Sequence, residues 1–169
     1  MTRDELLDIT RQLKKYLKET DPHISLNMKE NEKIHPGKEA EMKKLRAQVA
    51  ACKKCSLGFS RLNSVFGVGS LEAEVMLVGE GPGYQEDHTG EPFVGRAGQL
   101  LDRILASIGL SREKVYITNI VKCHAMINPE NPDLRGNDRP PSPQEISACR
   151  GYLMEQIKII RPKCLLLLG

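Results

Sequence analysis

The tetrad Val75-Met76-Leu77-Val78 constrains this chain most, because it stops at Gly79 and opens into Gly79-Glu80-Gly81-Pro82-Gly83. A short, unbroken apolar run ended by glycine reads as a strand buried on both faces, which is how strands of parallel sheets look. The pattern then repeats. After a loop from Glu80 to Gly95, Leu100, Leu101, Ile104, Leu105 and Ile108 predict a helix from about Arg96 to Ile108, with Gly109 as its stop. Val115 to Val121 is β-branched and aromatic and predicts a second strand. A proline-rich loop runs from His124 to Ser142. There Ser142-Pro143-x-Glu145 sets a helix start, with Ser as cap, Pro in the first turn and Glu three residues on. That helix is predicted to reach about Ile160, to break at Arg161-Pro162, and to give way to a third strand over Leu165 to Leu168. Strands alternating with helices imply an α/β fold, three-layer α/β/α with a parallel central sheet, whose ligands sit beyond the C-terminal ends of the strands. The loop after Val78 and the strand end at Asn119 are therefore the candidate site segments.

Ahead of this pattern, residues 2–19 read as an amphipathic helix and a polar stretch follows to Lys38. A second helix is predicted from about Lys38 to Val49, with Met42, Leu45 and Val49 on one face. The division is residues 1–49 as helical extension and linker, and residues 50–169 as the α/β domain. The N-terminal Met-Thr-Arg-Asp-Glu has no apolar signal-peptide region, and no apolar run approaches the roughly 20 residues of a membrane span. A cytoplasmic location and no membrane partner are expected. A net charge of +3 is too mild to indicate nucleic acid by itself. In a reducing compartment the five cysteines argue against a disulfide framework, and the Cys52-x-x-Cys55 spacing suggests metal binding or redox chemistry.

The loop after the first strand matches neither the dinucleotide-binding glycine fingerprint nor the P-loop. Its acids, Glu80, Glu86, Asp87 and Glu91, would repel free phosphates. A flat, neutral ring stacked on Phe93 and hydrogen-bonded to main chain suits it better, since base–aromatic stacking is worth roughly 1–3 kcal/mol.

Gly79-Glu80-Gly81-Pro82-Gly83-x-x-Glu86-Asp87-x-Thr89-Gly90-x-Pro92-Phe93-Val94-Gly95-x-Ala97-Gly98-Gln99-Leu100-Leu101 resembles the signature of family 4 uracil-DNA glycosylases, the iron–sulfur type. Val115 to Cys123 is similar to that family's second-strand motif. The resemblance extends from about Ala50 to the last residue. It implies that Glu80 and the Gly81 main chain position the hydrolytic water, that Pro82 shapes the turn, and that Glu86 faces the C5 edge of uracil. It further implies that Phe93 stacks on the base and Asn119 reads its O4 and N3–H edge, with Glu80, Gly81 and Asn119 as the catalytic set. The activity implied is hydrolysis of the N-glycosidic bond of flipped-out uracil in single- or double-stranded DNA, as in base-excision repair, by a monomer.

By the same resemblance Cys52, Cys55, Cys123 and Cys149 correspond to the ligands of a [4Fe–4S] cluster, although four thiolates also suit zinc. Cys164 reads as a small core residue. The stretch from Ile127 to Arg139 looks like an insert relative to the family. The family continues past the third strand to a late His-Pro motif that none of His23, His35, His88 or His124 provides. The domain is thus expected to be incomplete at its C-terminus and residues 1–169 to be impaired in catalysis. Two rival readings are a non-catalytic iron–sulfur module that binds DNA or a protein partner, and a zinc-stabilised hydrolase of nucleotides.

Overall fold

In the computed structural model, which describes residues 36–168, the chain runs α1 (Pro36–Ala50), α2 (Leu57–Ser60), β1 (Val68–Gly69), β2 (Val75–Gly79), α3 (Tyr84–Thr89), α4 (Arg96–Ser107), β3 (Tyr116–Asn119), α5 (Pro143–Ile160) and β4 (Cys164–Leu167). The helix expected over residues 2–19 lies outside the described residues. The strands form one sheet in the order β1-β3-β2-β4. β2 pairs in parallel with both β3 and β4, and β1 pairs antiparallel with β3. The parallel expectation therefore holds for three strands and fails at one edge. β1 is only two residues long, too short for any periodicity to show. It can pair because Gly69, at φ 120°, lets its main chain approach the Val115 carbonyl where a Cβ would collide.

Both faces of the central strands β2 and β3 are covered, as their apolar sequences require. On one face Met76, Val78 and Tyr116 pack with Met42, Leu45 and Val49 of α1 and with Tyr152 and Leu153 of α5. On the other, Leu77 and Ile117 pack with Leu101 and Leu105 of α4. Each such side chain withdrawn from water contributes about 1.5–3 kcal/mol. Met42, Leu45 and Val49 stand three and four residues apart, so one stripe of α1 enters the core. Lys38 Nζ fastens the start of α1 to Glu72 at 2.7 Å and to the carbonyls of Leu71 and Ile160. α1, assigned from the sequence to the extension, thus packs into the same core as the sheet and α5.

α4, α5 and β4 agree with the sequence reading to within a residue or two. The Ser142 cap is present as predicted: its hydroxyl accepts from Glu145 N while Glu145 Oε2 accepts from Ser142 N at 2.7 Å. β3 is shorter than expected. Ile120 and Val121 still donate to the carbonyls of Gly79 and Glu80, and the chain then bends away at Lys122. The stretch from 127 to 139 folds as a closed loop. Asn137 holds it at its base through Asn128 and the Asn131 carbonyl, and Arg139 N donates to Ala125 O. Cys164 is half-buried at the start of β4, whose alternate residues Leu165 and Leu167 face solvent.

Candidate functional site

β2 and β3 run side by side and finish together, with Gly79 opposite Asn119. The site is built where they end. A Cβ placed on Gly79 would collide with Asn119 Oδ1 and stand 2.6 Å from Phe93 Cζ, so ring and amide converge on the bare main chain of Gly79. Asn119 is buried, and its Oδ1 has no hydrogen-bond partner. A buried amide oxygen left unpaired costs about 1–3 kcal/mol, which a ligand donor would recover. Phe93 is half-buried and sits at φ 56°, a left-handed conformation that side-chain-bearing residues seldom adopt. Arg112 holds it there by donating to the carbonyls of Pro92 at 2.6 Å and Phe93 at 3.0 Å. Gly98 in the first turn of α4 lies so close to the Phe93 carbonyl that no Cβ fits.

The loop between β2 and α4 is tied by Glu86. Its Oε1 accepts from Val94 N and Gly95 N, both at 2.9 Å, and its Oε2 from Gly83 N at 3.2 Å. The side chain expected against the C5 edge of a base is therefore committed to three amides of its own loop, and it shapes the loop that carries Phe93. The neighbouring Asp87 is fully buried and accepts from Leu62 N and Asn63 N.

A cleft of about 490 Å³ opens beside this loop. Glu80, Gly81, Pro82 and Glu86 line one wall, Asp138 to Pro141 another, and Cys123 and Ala125 also contribute. Phe93 and Asn119 are not part of its lining. The six residues expected to form one pocket are thus divided: four border the cleft, and two meet at Gly79, one residue before it. Glu80 is exposed, Gly81 half-buried and Pro82 buried. The loop over 127–139 supplies the opposite wall and is joined to α3 by Asp133 Oδ1 at 3.1 Å from His88 Nε2 and by Asp138 accepting from Tyr84 N. Buried His124 stands behind that wall, its Nε2 2.8 Å from Asp138 and its Nδ1 3.7 Å from Asp87. Burial opposes protonation of this imidazole, but the two flanking carboxylates prevail and raise its pKa. His124 is therefore engaged between carboxylates and is not aimed at the cysteines beside it.

Cys52, Cys55, Cys123 and Cys149 come together from three segments at the edge of the α1–α5 core. They are near enough for a charge on one to bear on the next: Cys123 senses Cys149 and Cys55, and Cys149 senses Cys52 and Cys55. Burial pushes the free Cys123 thiol up to about 12. Among the described residues no three His, Cys, Asp or Glu side chains are grouped in position to hold a metal ion. Sequence reasoning missed Arg112 and Arg61, whose guanidinium reaches Cys123, and did not foresee that Asp87 is buried on the amides of Leu62 and Asn63. Their partners lie 9 to 62 residues away, and no local pattern signals such contacts.

Residues 66–169 match the uracil DNA glycosylase superfamily. The chain is 47% identical over 122 residues to a type-4 uracil-DNA glycosylase of Archaeoglobus fulgidus, covering 72% of this chain and 56% of that protein. It is 43% identical over 132 residues to the type-4 enzyme of Thermotoga maritima, covering 78% and 64%, and 46% identical over 129 residues to that of Sulfurisphaera tokodaii, covering 76% and 54%. The chain thus spans between about half and two thirds of the length of these relatives. With a sheet that ends in paired strands at Gly79 and Asn119, and with this likeness to type-4 enzymes over most of its length, the chain belongs to the uracil-DNA glycosylase superfamily.

Proposed function

We propose that the protein hydrolyses the N-glycosidic bond of uracil extruded from DNA. One observation carries this reading: Phe93 and Asn119 converge over Gly79, and the Asn119 oxygen is buried and unpaired. A base stacked on Phe93 would offer its N3–H to that oxygen, while the amide nitrogen of Asn119 donates to O4. Cytosine presents the reverse pattern and would leave buried groups unpaired, a penalty of roughly 1–3 kcal/mol each. The base has to leave the stack to be reached. Bond cleavage builds positive charge on the sugar and negative charge on the departing base. Exposed Glu80 suits the first, as a carboxylate beside the sugar and the attacking water, and the main chain of Gly81 helps to hold that water. Pro82 keeps the turn narrow, and Glu86 acts as organiser of the loop.

The four cysteines are read here as ligands of a [4Fe–4S] cluster. A tetranuclear cluster gives each thiolate its own iron, so it asks for thiols spread round a volume and not closed on one point. The donor set fits: Cys123 and Cys149 are buried, and Lys122 N and Arg61 Nη1 are directed at their sulfurs. When bound, the cluster would cross-link the segment after α1, the end of β3 and α5, with no electron transfer in the hydrolysis. The match to type-4 enzymes supports this choice over zinc.

The pocket is tested by titrating free uracil, thymine and cytosine into the protein and following the Asn119 side-chain amide by NMR. Selective shifts with uracil, lost in Asn119→Ala, support the reading; equal response to cytosine, or none to uracil, overturns it. A uracil-release assay on single- and double-stranded DNA, run on parent and Asn119→Ala together, tests the chemistry. Wherever the parent releases uracil, the variant is expected to be about 10–100-fold slower, the equivalent of about 1.4–2.8 kcal/mol.

A further inference from the structure

Arg61 lies outside the glycine-rich loop and strand-end motifs, yet it touches both Cys52 and Cys123 of the four-cysteine site. Its Nη1 donates to Cys123 Sγ at 3.0 Å. Its Nη2 reaches the carbonyls of Val49 at 3.0 Å, Ala50 at 2.6 Å and Cys52 at 3.3 Å. The first two carbonyls belong to the last turn of α1, where main-chain acceptors have no partner within the helix and the helix dipole is negative. One planar guanidinium thus grips the end of α1, the first cysteine of the C-x-x-C pair and the sulfur of the third cysteine, some 70 residues further along the chain. A lysine has one nitrogen and cannot span these positions at once.

Charge points the same way. Four thiolates are costly to bring together in a half-buried place unless cations and N–H donors face them. Lys122 N donates to Cys149 Sγ at 3.3 Å, and the Lys122 ammonium is buried nearby among Thr118, Asn119 O and Gln156. Arg61 supplies the positive charge in direct contact with a sulfur. We infer that Arg61 is a positioning residue of the cysteine site: it sets the distance between the C-x-x-C segment and Cys123, and it stabilises the anionic, metal-bound state of the thiols. This rests on the cluster reading above.

The test uses the protein purified anaerobically as parent, Arg61→Gln and Arg61→Lys, with circular dichroism to check folding. Iron and acid-labile sulfide per chain, the decay of visible absorbance under a chelator, and the reduction potential are measured. Arg61→Gln is expected to lose its absorbance roughly 10-fold or more faster than the parent, the usual scale for removing a residue that supports a metal ligand. Its potential should shift negative, because a positive charge beside the thiolates has gone; a residue that merely held the fold together would leave the potential unmoved. Arg61→Lys should keep a potential near that of the parent while still losing the cluster faster. Arg61→Gln that holds iron as long as the parent, at the same potential, overturns the role of Arg61 and leaves the cluster reading standing. A parent that carries zinc, with no iron or sulfide, overturns the cluster reading and this inference with it. Should Arg61→Gln fail to fold, decay of Arg61→Lys at the parent's rate overturns the inference.

Discussion

Gly79 is the residue on which the site depends most directly. Its missing side chain is what lets Phe93 and Asn119 converge, so a single methyl there would collide with both and tests the pocket without replacing either residue. Gly79→Ala is expected to abolish the uracil-specific response in the titration, while thermal unfolding shows a protein that still folds. Gly81 is the natural control. A Cβ there meets only Val121 at 3.8 Å, so Gly81→Ala has room and should retain uracil binding. Asn119 and Phe93 could be singled out as candidates in the sequence because the loop motif and the strand end that carry them are local patterns; their convergence at Gly79 is a property of the fold. The engagement of Glu86 was not, since a carboxylate in an acidic loop looks the same whether it faces a ligand or the loop's own amides. Only the folded path of residues 83–95 brings Gly83, Val94 and Gly95 within its reach.

At the scale of elements, α5 and its entry do the most to seat the second half of the site. Glu145 caps Ser142 and forms a two-pronged pair with Arg139, at 2.8 and 2.9 Å, which fixes the cleft wall over 138–141 to the helix. The Arg139 guanidinium, with help from Ser142, holds the Glu145 carboxyl down at about 2 from its ordinary 4.5. A carboxyl more acidic in the folded chain than in the unfolded one stabilises the fold fully above the ordinary value. That contribution is lost as pH falls from about 4.5 through about 2. Denaturant unfolding is therefore expected to show stability falling over this window, and Glu145→Gln should flatten that part of the curve. At neutral pH the substitution should cost about 1–3 kcal/mol, since it breaks a charged hydrogen-bond pair. If the variant kept the parent's acid profile, the pair would have no such role. The capping pattern was readable because Ser, Pro and Glu fall within one turn, whereas the partnership with Arg139 depends on a proline-rich bend that no periodicity describes.

For the whole molecule, the sheet among the described residues runs from β1 at one side to β4 at the other, with Leu165 and Leu167 of β4 45% and 75% exposed. An apolar edge strand invites pairing between chains. Residues 1–169 are expected to self-associate with rising concentration, and Leu167→Lys should reduce that association in sedimentation experiments while leaving the fold intact. An unchanged association state would place the contact elsewhere. The layered α/β plan, the order of its main strands and helices, and the strand ends of β2 and β3 where the candidate site is proposed were determined by the sequence alone, because apolar periodicity, glycine stops and helix caps act over a few residues. The antiparallel edge strand, the packing of α1 into the domain core, the division of the site between the Gly79 gap and the cleft, and the grip of Arg61 on the cysteines were decided only in three dimensions. Each depends on groups far apart in the chain meeting at distances of a few ångströms, and only the packing of the completed core specifies those distances.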